Sequence, residues 1–582
     1  MKTTALSAAL LGAMMAMPAL AQQAQNDPLY RYQWHLMNYG QSVLGDSKPA
    51  FGIDLGIDDL HTYNIRGKNV VVAVVDDGLE IAHPDLAANV VPNGSWNFVD
   101  NSHDPTPASP SAGHGTAVGG IIAAVGWNGI GVRGVAPSAR LKGFNFLANQ
   151  AAGNLERSWF DSAEAKDVQV SNNSWGRTLV WPMAFSENEV AAFERPMAAT
   201  RGGLGTVYVK SAGNNYASTV VSNINRCTAA IRARNVGCSA TNLDARNNLF
   251  TIITVAAVNA AGIRSNYSSA GSALWVSGLG GEYGHQALYS NAVSPLNFDP
   301  AIVTTDRSGC VAGYNNDIDS DRNSPNNTRR NALDSSLSAI DATCNYTGRM
   351  NGTSAAAPTV AGTIALMLQA NPKLSYRDVK YLLATTARRI DPNQATMTDA
   401  NGTVLAPGWT VNAAGRAFSN WYGFGLVDAT LAVTRASGFK SLGPLIDSGW
   451  QRAQVAAPVA IGGPAAPALL RIPVANGIAR VESVQLGLET DYAMASGASL
   501  MEPSRLRVVL ISPSGTRSYV VPGYTGLRGG GAALTIPFSA SNAFLDENGV
   551  GDWTLEVTDI ALAAGAASAG NLTSFKLRVL GH

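Results

Sequence analysis

The chain is short of charge, short of cysteine and, past its N-terminus, free of long apolar runs. Its 41 basic and 41 acidic side chains cancel, and only 14% of residues are charged. No overall field therefore draws it to nucleic acid or to an anionic membrane. Beyond the first residues no stretch offers about twenty uninterrupted apolar positions, which excludes a helical membrane anchor in that part of the chain. Four cysteines among 582 residues allow two disulfides at most. Glycine is plentiful at 59 residues, yet it follows no Gly-X-Y period or other repeat, so the class is globular rather than fibrous. A length of 582 residues leaves room for more than one domain.

What is present begins with an export signal. Lys2, the apolar run "ALSAALLGAMMAMPAL" and the small-residue site "ALA" at 19–21 have the layout of a secretory leader. We expect cleavage near Ala21 and a secreted, extracellular product. Export makes the cysteines candidates for disulfides, and their order favours Cys227 with Cys238 and Cys310 with Cys344 as the sequence-local pairing of three possible.

From about residue 60 short β-rich runs alternate with small-residue helical stretches: "NVVVAVVDDG", "HGTAVGGIIAAV", "DVQVSNNSWG", "LGTVYVKSAGNN" and "TIITVAAVN". Continuous Val/Ile runs between helices predict parallel strands buried on both faces, hence an α/β layered domain. Its polar residues fall at strand ends, where open α/β sheets bind ligands. "LSYRDVKYLLATTAR" predicts a further helix with Ser375 as its cap. After about residue 440 the pattern turns to "ARVESVQLGLET", "RLRVVLISPSG", "GDWTLEVTD" and "SFKLRVLGH", short strands broken by turns, which predict a β-sandwich. The Ala/Pro/Gly-rich segment 449–470 is the expected join.

Three polar groups stand at strand ends or helix starts: Asp76 after "VVVAVV", His114 in "GHGTAVGG" and Ser354 in "NGTSAAAP". Each alone has an ordinary reading, a turn residue, a helix-start histidine and an N-cap. Together they supply a nucleophile, a base to take its proton and a carboxylate to orient that base. The amides of the helix after Ser354 can also hold the negative oxygen of an acyl-transfer intermediate.

The pieces "VVDDGLEIAHPDL", "HGTAVGG", "SWG", "SAGN" and "NGTSAAAPTVAG", spread over residues 27–435, resemble the subtilisin-like serine proteases, and among them the kexin and furin-like branch. The resemblance implies a subtilisin-like parallel sheet with flanking helices over 25–437. It implies a serine endopeptidase acting on protein or peptide substrates, with Asp76 orienting His114, His114 as base and then acid, Ser354 as nucleophile and Asn214 as oxyanion donor. Ser174, Trp175 and Gly176 would line the substrate cleft, with Asp77 on its P2 side and Glu156 on its P4 side. The β-rich segment 440–582 resembles the family's P domain, a jelly-roll-like sandwich that packs on the protease. Calcium is the implied cofactor: Asp27, Asp85, Asn128 and the carbonyls of Val125, Ile130 and Val132 at one site, Asp100 and Asp104 near a second. The run "NNDIDSDRN", with Asp317, Asp319 and Asp321, lacks the full calcium-loop pattern and reads as a solvated acidic loop.

Three departures bound the resemblance. "SWGRTLVW" carries Arg177, Thr178 and Leu179 where basic-cutting members have acids, so a basic P1 residue is not predicted. The protease part starts almost directly after the leader, leaving no room for a propeptide, so we expect a separately encoded chaperone or inhibitor. Residues 311–343, bracketed by Cys310 and Cys344, form an insertion that either overhangs the cleft or is a plain surface loop. An esterase is disfavoured because the serine lies in "GTSAA" rather than G-x-S-x-G. An inactive binding protein would retain Asp76, His114, Asn214 and Ser354 without use. A monomer is the default expectation.

Overall fold

The computed structural model describes residues 27–217, 220–221, 224–225, 229–290, 294–317, 330–334, 340–475, 477–493, 505–527 and 533–582. The leader, Cys227, Asp319 and Asp321 lie outside the described residues.

The Val/Ile runs become a six-stranded parallel sheet: β1 (Val71–Val75), β2 (Arg140–Phe144), β3 (Val170–Asn173), β4 (Val207–Ser211), β5 (Ile252–Val258) and β6 (Val276–Leu279). Their spatial order is β2-β1-β3-β4-β5-β6. The order reverses between β1 and β3, and it is outside the carboxyl ends at such a switch point that α/β sheets bind ligands. One face is covered by α1 (His114–Ala123) and α2 (Thr353–Ala370), both all but fully buried. That burial explains their composition: Gly, Ala, Thr and Val let the two helices approach the sheet and each other closely. α3 (Tyr376–Thr386) begins at the expected cap, where Ser375 and Asp378 form a capping box.

The C-terminal part is two antiparallel sheets. One contains β7 (Ala468–Val474), β9 (Leu506–Ile511), β10 (Arg517–Val521) and β12 (Gly551–Asp559) in the order β7-β12-β9-β10. The other is built on β8 (Val481–Ala493), β11 (Ala533–Ser541) and β13 (Asn571–Gly581). In β7 burial alternates strictly, the period-2 signature of a half-buried strand. A separate apolar core, with Trp553, Phe544 and Phe575, fills the space between them. The segment 449–470 is more than a join: Gln451–Arg452 and Val459–Ala460 pair with β13 and enter the sheet.

Polar contacts tie this sandwich to the α/β part. Asn242 Nδ2 donates to Ser539 Oγ and the Ala540 carbonyl, Asn542 Nδ2 to the Ala273 and Leu274 carbonyls, and Arg377 pairs with Glu482. Ala543, Leu545 and Leu580 complete the first domain's core. The seam is therefore a packed interface rather than a flexible hinge. Cys310 and Cys344 form the expected disulfide, and of the insertion the described part includes a short turn, Gly313–Asp317.

Candidate active site

Asp76 stands one residue past β1, at the sheet's carboxyl edge beside the switch point, and is fully buried. Its Oδ1 accepts from His114 Nδ1 at 2.8 Å and from the Asp77 amide at 2.8 Å. The first bond fixes the imidazole so that Nε2 is left for a reacting group. His114 opens α1, and the helix can pack this close only because Gly115 lacks a side chain: a Cβ there would lie 1.9 Å from the Gly78 carbonyl and 2.9 Å from Asp76 Cβ.

Asp77, expected beside the substrate, is committed to the backbone. Its Oδ2 accepts from the Gly113 and His114 amides, each at 3.0 Å, and its Oδ1 from Gly115 at 2.7 Å. These are free donors at the start of α1, so Asp77 caps the helix from outside and holds His114 in place. Burial works against a charged imidazole, but Asp76 and then Asp77 outweigh it and raise the His114 pKa to about 9. The ring remains open to solvent, with 31% of its side-chain surface exposed.

Ser354 sits in the first turn of α2. Pro358 lies one turn on and has no N–H, which releases the Ser354 carbonyl from the helical ladder. Ser174, just past β3, uses that gap: its Oγ donates to the Ser354 carbonyl at 2.8 Å, and its own carbonyl accepts from Ser354 Oγ at 2.9 Å. The hydroxyl is thus parked on Ser174 rather than on His114, and it must rotate to reach the imidazole.

The helix cap is Gly352 at φ +92°, with no side-chain cap. Thr353 donates to Asn214 Oδ1 through its amide (2.9 Å) and its hydroxyl (2.8 Å). Anchoring that oxygen leaves Nδ2 of Asn214 outward, and among the described residues neither it nor the Ser354 amide has an acceptor. Both donors border the open side of Gly352, where a Cβ would lie 2.9 Å from Asn214 Nδ2 and 3.4 Å from the Ser354 amide. Two unused donors at a helix N-terminus beside a hydroxyl, with an oriented imidazole to hand, are equipped for acyl transfer. Thr353 as the anchor of Asn214 was not read from the sequence; its adjacency to Ser354 was the only signal.

Trp175 stacks on Trp159 and donates from Nε1 to the Val75 carbonyl, and Gly176 is exposed beside the cleft. Glu156 is half-buried in the helix Asn154–Trp159, with no ion-pair partner among the described residues.

The calcium expectation at Asp27 and Asp85 is corrected by what surrounds them. Calcium needs converging oxygens, whereas each of these four oxygens faces a nitrogen donor. Asp27 Oδ2 takes Arg133 Nη2 at 2.7 Å, Arg133 Nε at 2.8 Å and the Trp127 amide at 3.0 Å, while its Oδ1 takes the Asn128 amide at 3.3 Å. Asp85 takes Asn128 Nδ2 at 2.7 Å and the Val132 amide at 3.0 Å. Asn128 Oδ1, the side-chain oxygen expected to face the ion, instead accepts from the Ile130 amide. Arg133 brings the positive charge that a cation would have brought. The two carboxylates do not fit calcium here; the sequence signal is Arg133, directly after Val132. At the second place, Asp100 and Asp104 accept the Ser102 and Thr106 amides of their own turns, and among the described residues no three His, Cys, Asp or Glu gather as a metal site.

Residues 67–425 match the Subtilase family and 497–579 the Proprotein convertase P-domain. The chain is 36% identical to the Aeromonas extracellular serine protease of Aeromonas sobria, over 96% of this chain and 91% of that one. It is 27% identical to furin of Rattus norvegicus, over 96% of this chain and 58% of furin. A crystal structure of the Aeromonas sobria serine protease in complex with the chaperone ORF2 superimposes with a TM-score of 0.83 at 34% identity, covering 96% of this chain and 95% of that one.

Proposed function

Since the chain belongs to the subtilase family of serine proteases, we propose that it cuts protein or peptide substrates through an acyl-enzyme on Ser354. Ser354 Oγ attacks the scissile carbonyl while His114 Nε2 takes its proton, and Asp76 holds the imidazolium that results. The tetrahedral oxyanion is received by Asn214 Nδ2 and the Ser354 amide. His114 returns the proton to the departing amine, and water repeats the sequence to free the acid. The observation that carries this reading is the His114–Asp76 bond set beside two unspent donors and a serine hydroxyl.

The same proposal divides the chain into a leader (1–21), a protease domain (25–437) and a P domain (440–582) that braces it. We place the enzyme outside the cell, working as a monomer. A relative named as extracellular supports export, and among the described residues no helix is long and apolar enough to cross a membrane. The relative crystallised with a chaperone supports a separate folding partner for this chain. Calcium belongs to this reading only as a stabiliser away from the chemistry, and the Asp27–Arg133 pair argues against it at that loop.

A fluorophosphonate probe tests the proposal. It is expected to label the protein at Ser354, not to label Ser354→Ala, and to block hydrolysis of casein. Labelling with turnover of short acyl esters but not casein would mean an esterase, and no labelling an inactive protease-like protein. The pH profile gives a second test. His114 must be neutral to accept a proton, so kcat/KM should rise as pH climbs from the ordinary histidine range toward 9. Asp77→Asn removes one of the two charges that hold the proton on and keeps an oxygen for the helix amides. It should move the acid limb to lower pH.

A further inference from the structure

Next to Asn214 lies a small cleft lined by Gly176, Ser211, Gly213, Asn215, Asp244 and Ser269. Gly213 and Asn215 flank the proposed oxyanion donor Asn214, and Gly176 lies two residues past Ser174, which holds Ser354, so this cleft receives the side chain on the acyl side of the cut bond. Among the described residues its one carboxylate is Asp244, which is buried and already fully engaged. Oδ2 takes Lys210 Nζ at 3.2 Å and the Arg177 amide at 3.4 Å, while Oδ1 takes the Arg246 amide at 3.1 Å and Arg246 Nη1 at 3.4 Å. Lys210 is wholly buried on β4, and its ammonium lies 3.3 Å from where a Cβ on Gly176 would stand. Burial alone would raise the Asp244 acid, but Lys210 and then Arg246 hold it below the usual carboxylate range.

Counting the groups gives one negative charge against two buried or half-buried cations, with Arg177 exposed at the rim. A Lys or Arg side chain entering here meets a carboxylate whose hydrogen bonds are spent and a local excess of positive charge. It would give up its hydration without a counterion.

We propose that Lys210 is a specificity-determining residue that turns this pocket against basic P1 side chains, making the substrate class peptides cut after a non-basic residue. The inference rests on the peptidase reading above and adds the substrate to it. Lys210 acts by neutralising Asp244 from behind the pocket wall. Removing it while leaving Asp244 in place should therefore expose a carboxylate to the cleft, with only Arg246 opposing it.

Cleavage-site profiling of the full chain on a diverse peptide library, with Ser354→Ala as the blank, tests this first in the unaltered protein. Ser354-dependent cuts should concentrate after non-basic residues. Matched peptides differing only at P1 should give a kcat/KM for Arg about 10-fold or more below that for Gln. Lys210→Met should shift that ratio about 10-fold or more toward Arg, and Lys210→Arg should keep it near the original value. Ser354-dependent cuts concentrated after Lys or Arg would overturn the inference and leave the peptidase reading standing. An unchanged ratio in a folded, active Lys210→Met would overturn the role of Lys210. Absence of any Ser354-dependent cut would remove both readings together. Because the unaltered protein's profile already decides the substrate class, a variant that fails to fold does not shelter the proposal.

Discussion

Ser354→Ala is expected to lower kcat by about 10⁶-fold, His114→Ala by a similar factor, and the two together by no more than either alone. The reason is that the two side chains act as one unit: the hydroxyl is a poor nucleophile until a base removes its proton, and the base has no function without the hydroxyl. Residual activity over water should survive in all three variants, because the oxyanion donors do not depend on either side chain. Asn214 is held by Thr353, and the Ser354 amide persists in the alanine variant. Single-turnover kinetics on one peptide, measured for both single variants and the double, checks the expectation. Additive losses would mean that Ser354 and His114 act in separate steps. The hydroxyl now rests on the Ser174 carbonyl at 2.9 Å, and the rotation that brings it to His114 is a side-chain torsion of small cost, well below the barrier at stake.

The proposed Asp76 and Ser354 were legible because each adjoins a segment whose pattern is unmistakable. "VVVAVV" can only be a buried strand, so Asp76 had to lie at its end, and the small-residue run after Ser354 had to be a buried helix with polar groups at its mouth. Local signals of this kind extend as far as a strand, a cap or a turn. They also extend to the Ser375 cap and the alternating strands of the second domain. What remained hidden were partners far apart in the chain. Asp77 meets amides 36 to 38 residues on, Lys210 meets Asp244 at a separation of 34, and Asp27 meets Arg133 at 106. Nothing in "VKSAGN" or "NLDARNN" says that the lysine of one neutralises the aspartate of the other, since hydrophobic periodicity carries no information on which charges face each other. Family resemblance misled for the same reason at Asp27. It transfers ligand oxygens position by position, but a single arginine in the same loop exchanges the cation those oxygens serve.

That exchange has a measurable consequence. Arg133 is 3% exposed and Asp27 1%, and the guanidinium also lies over the rings of Tyr30 and Trp127 at 4.1 and 3.9 Å. The pair joins the first described residues to the loop 125–133 and to Gln33, whose side-chain amide donates to the Arg133 carbonyl and accepts from the Arg133 amide. Arg133→Met would keep much of the apolar contact and strand Asp27 as a buried, uncompensated carboxylate. Breaking a buried pair on one side costs about 3–5 kcal/mol, so the variant should unfold at a clearly lower temperature and lose activity faster on heating. Asp27→Asn should show a loss of the same origin. The double variant, with no charge left to bury, should lose less than the sum of the two, which is the signature of direct coupling. Because the guanidinium stands where calcium was expected, the loss caused by Asp27→Asn should be the same with EDTA as with millimolar calcium. Scanning calorimetry of the four proteins with and without EDTA measures all of this at once. A large EDTA effect on the unaltered protein would show that a cation holds this fold in addition to Arg133, and strictly additive losses would show that Asp27 and Arg133 do not stabilise each other.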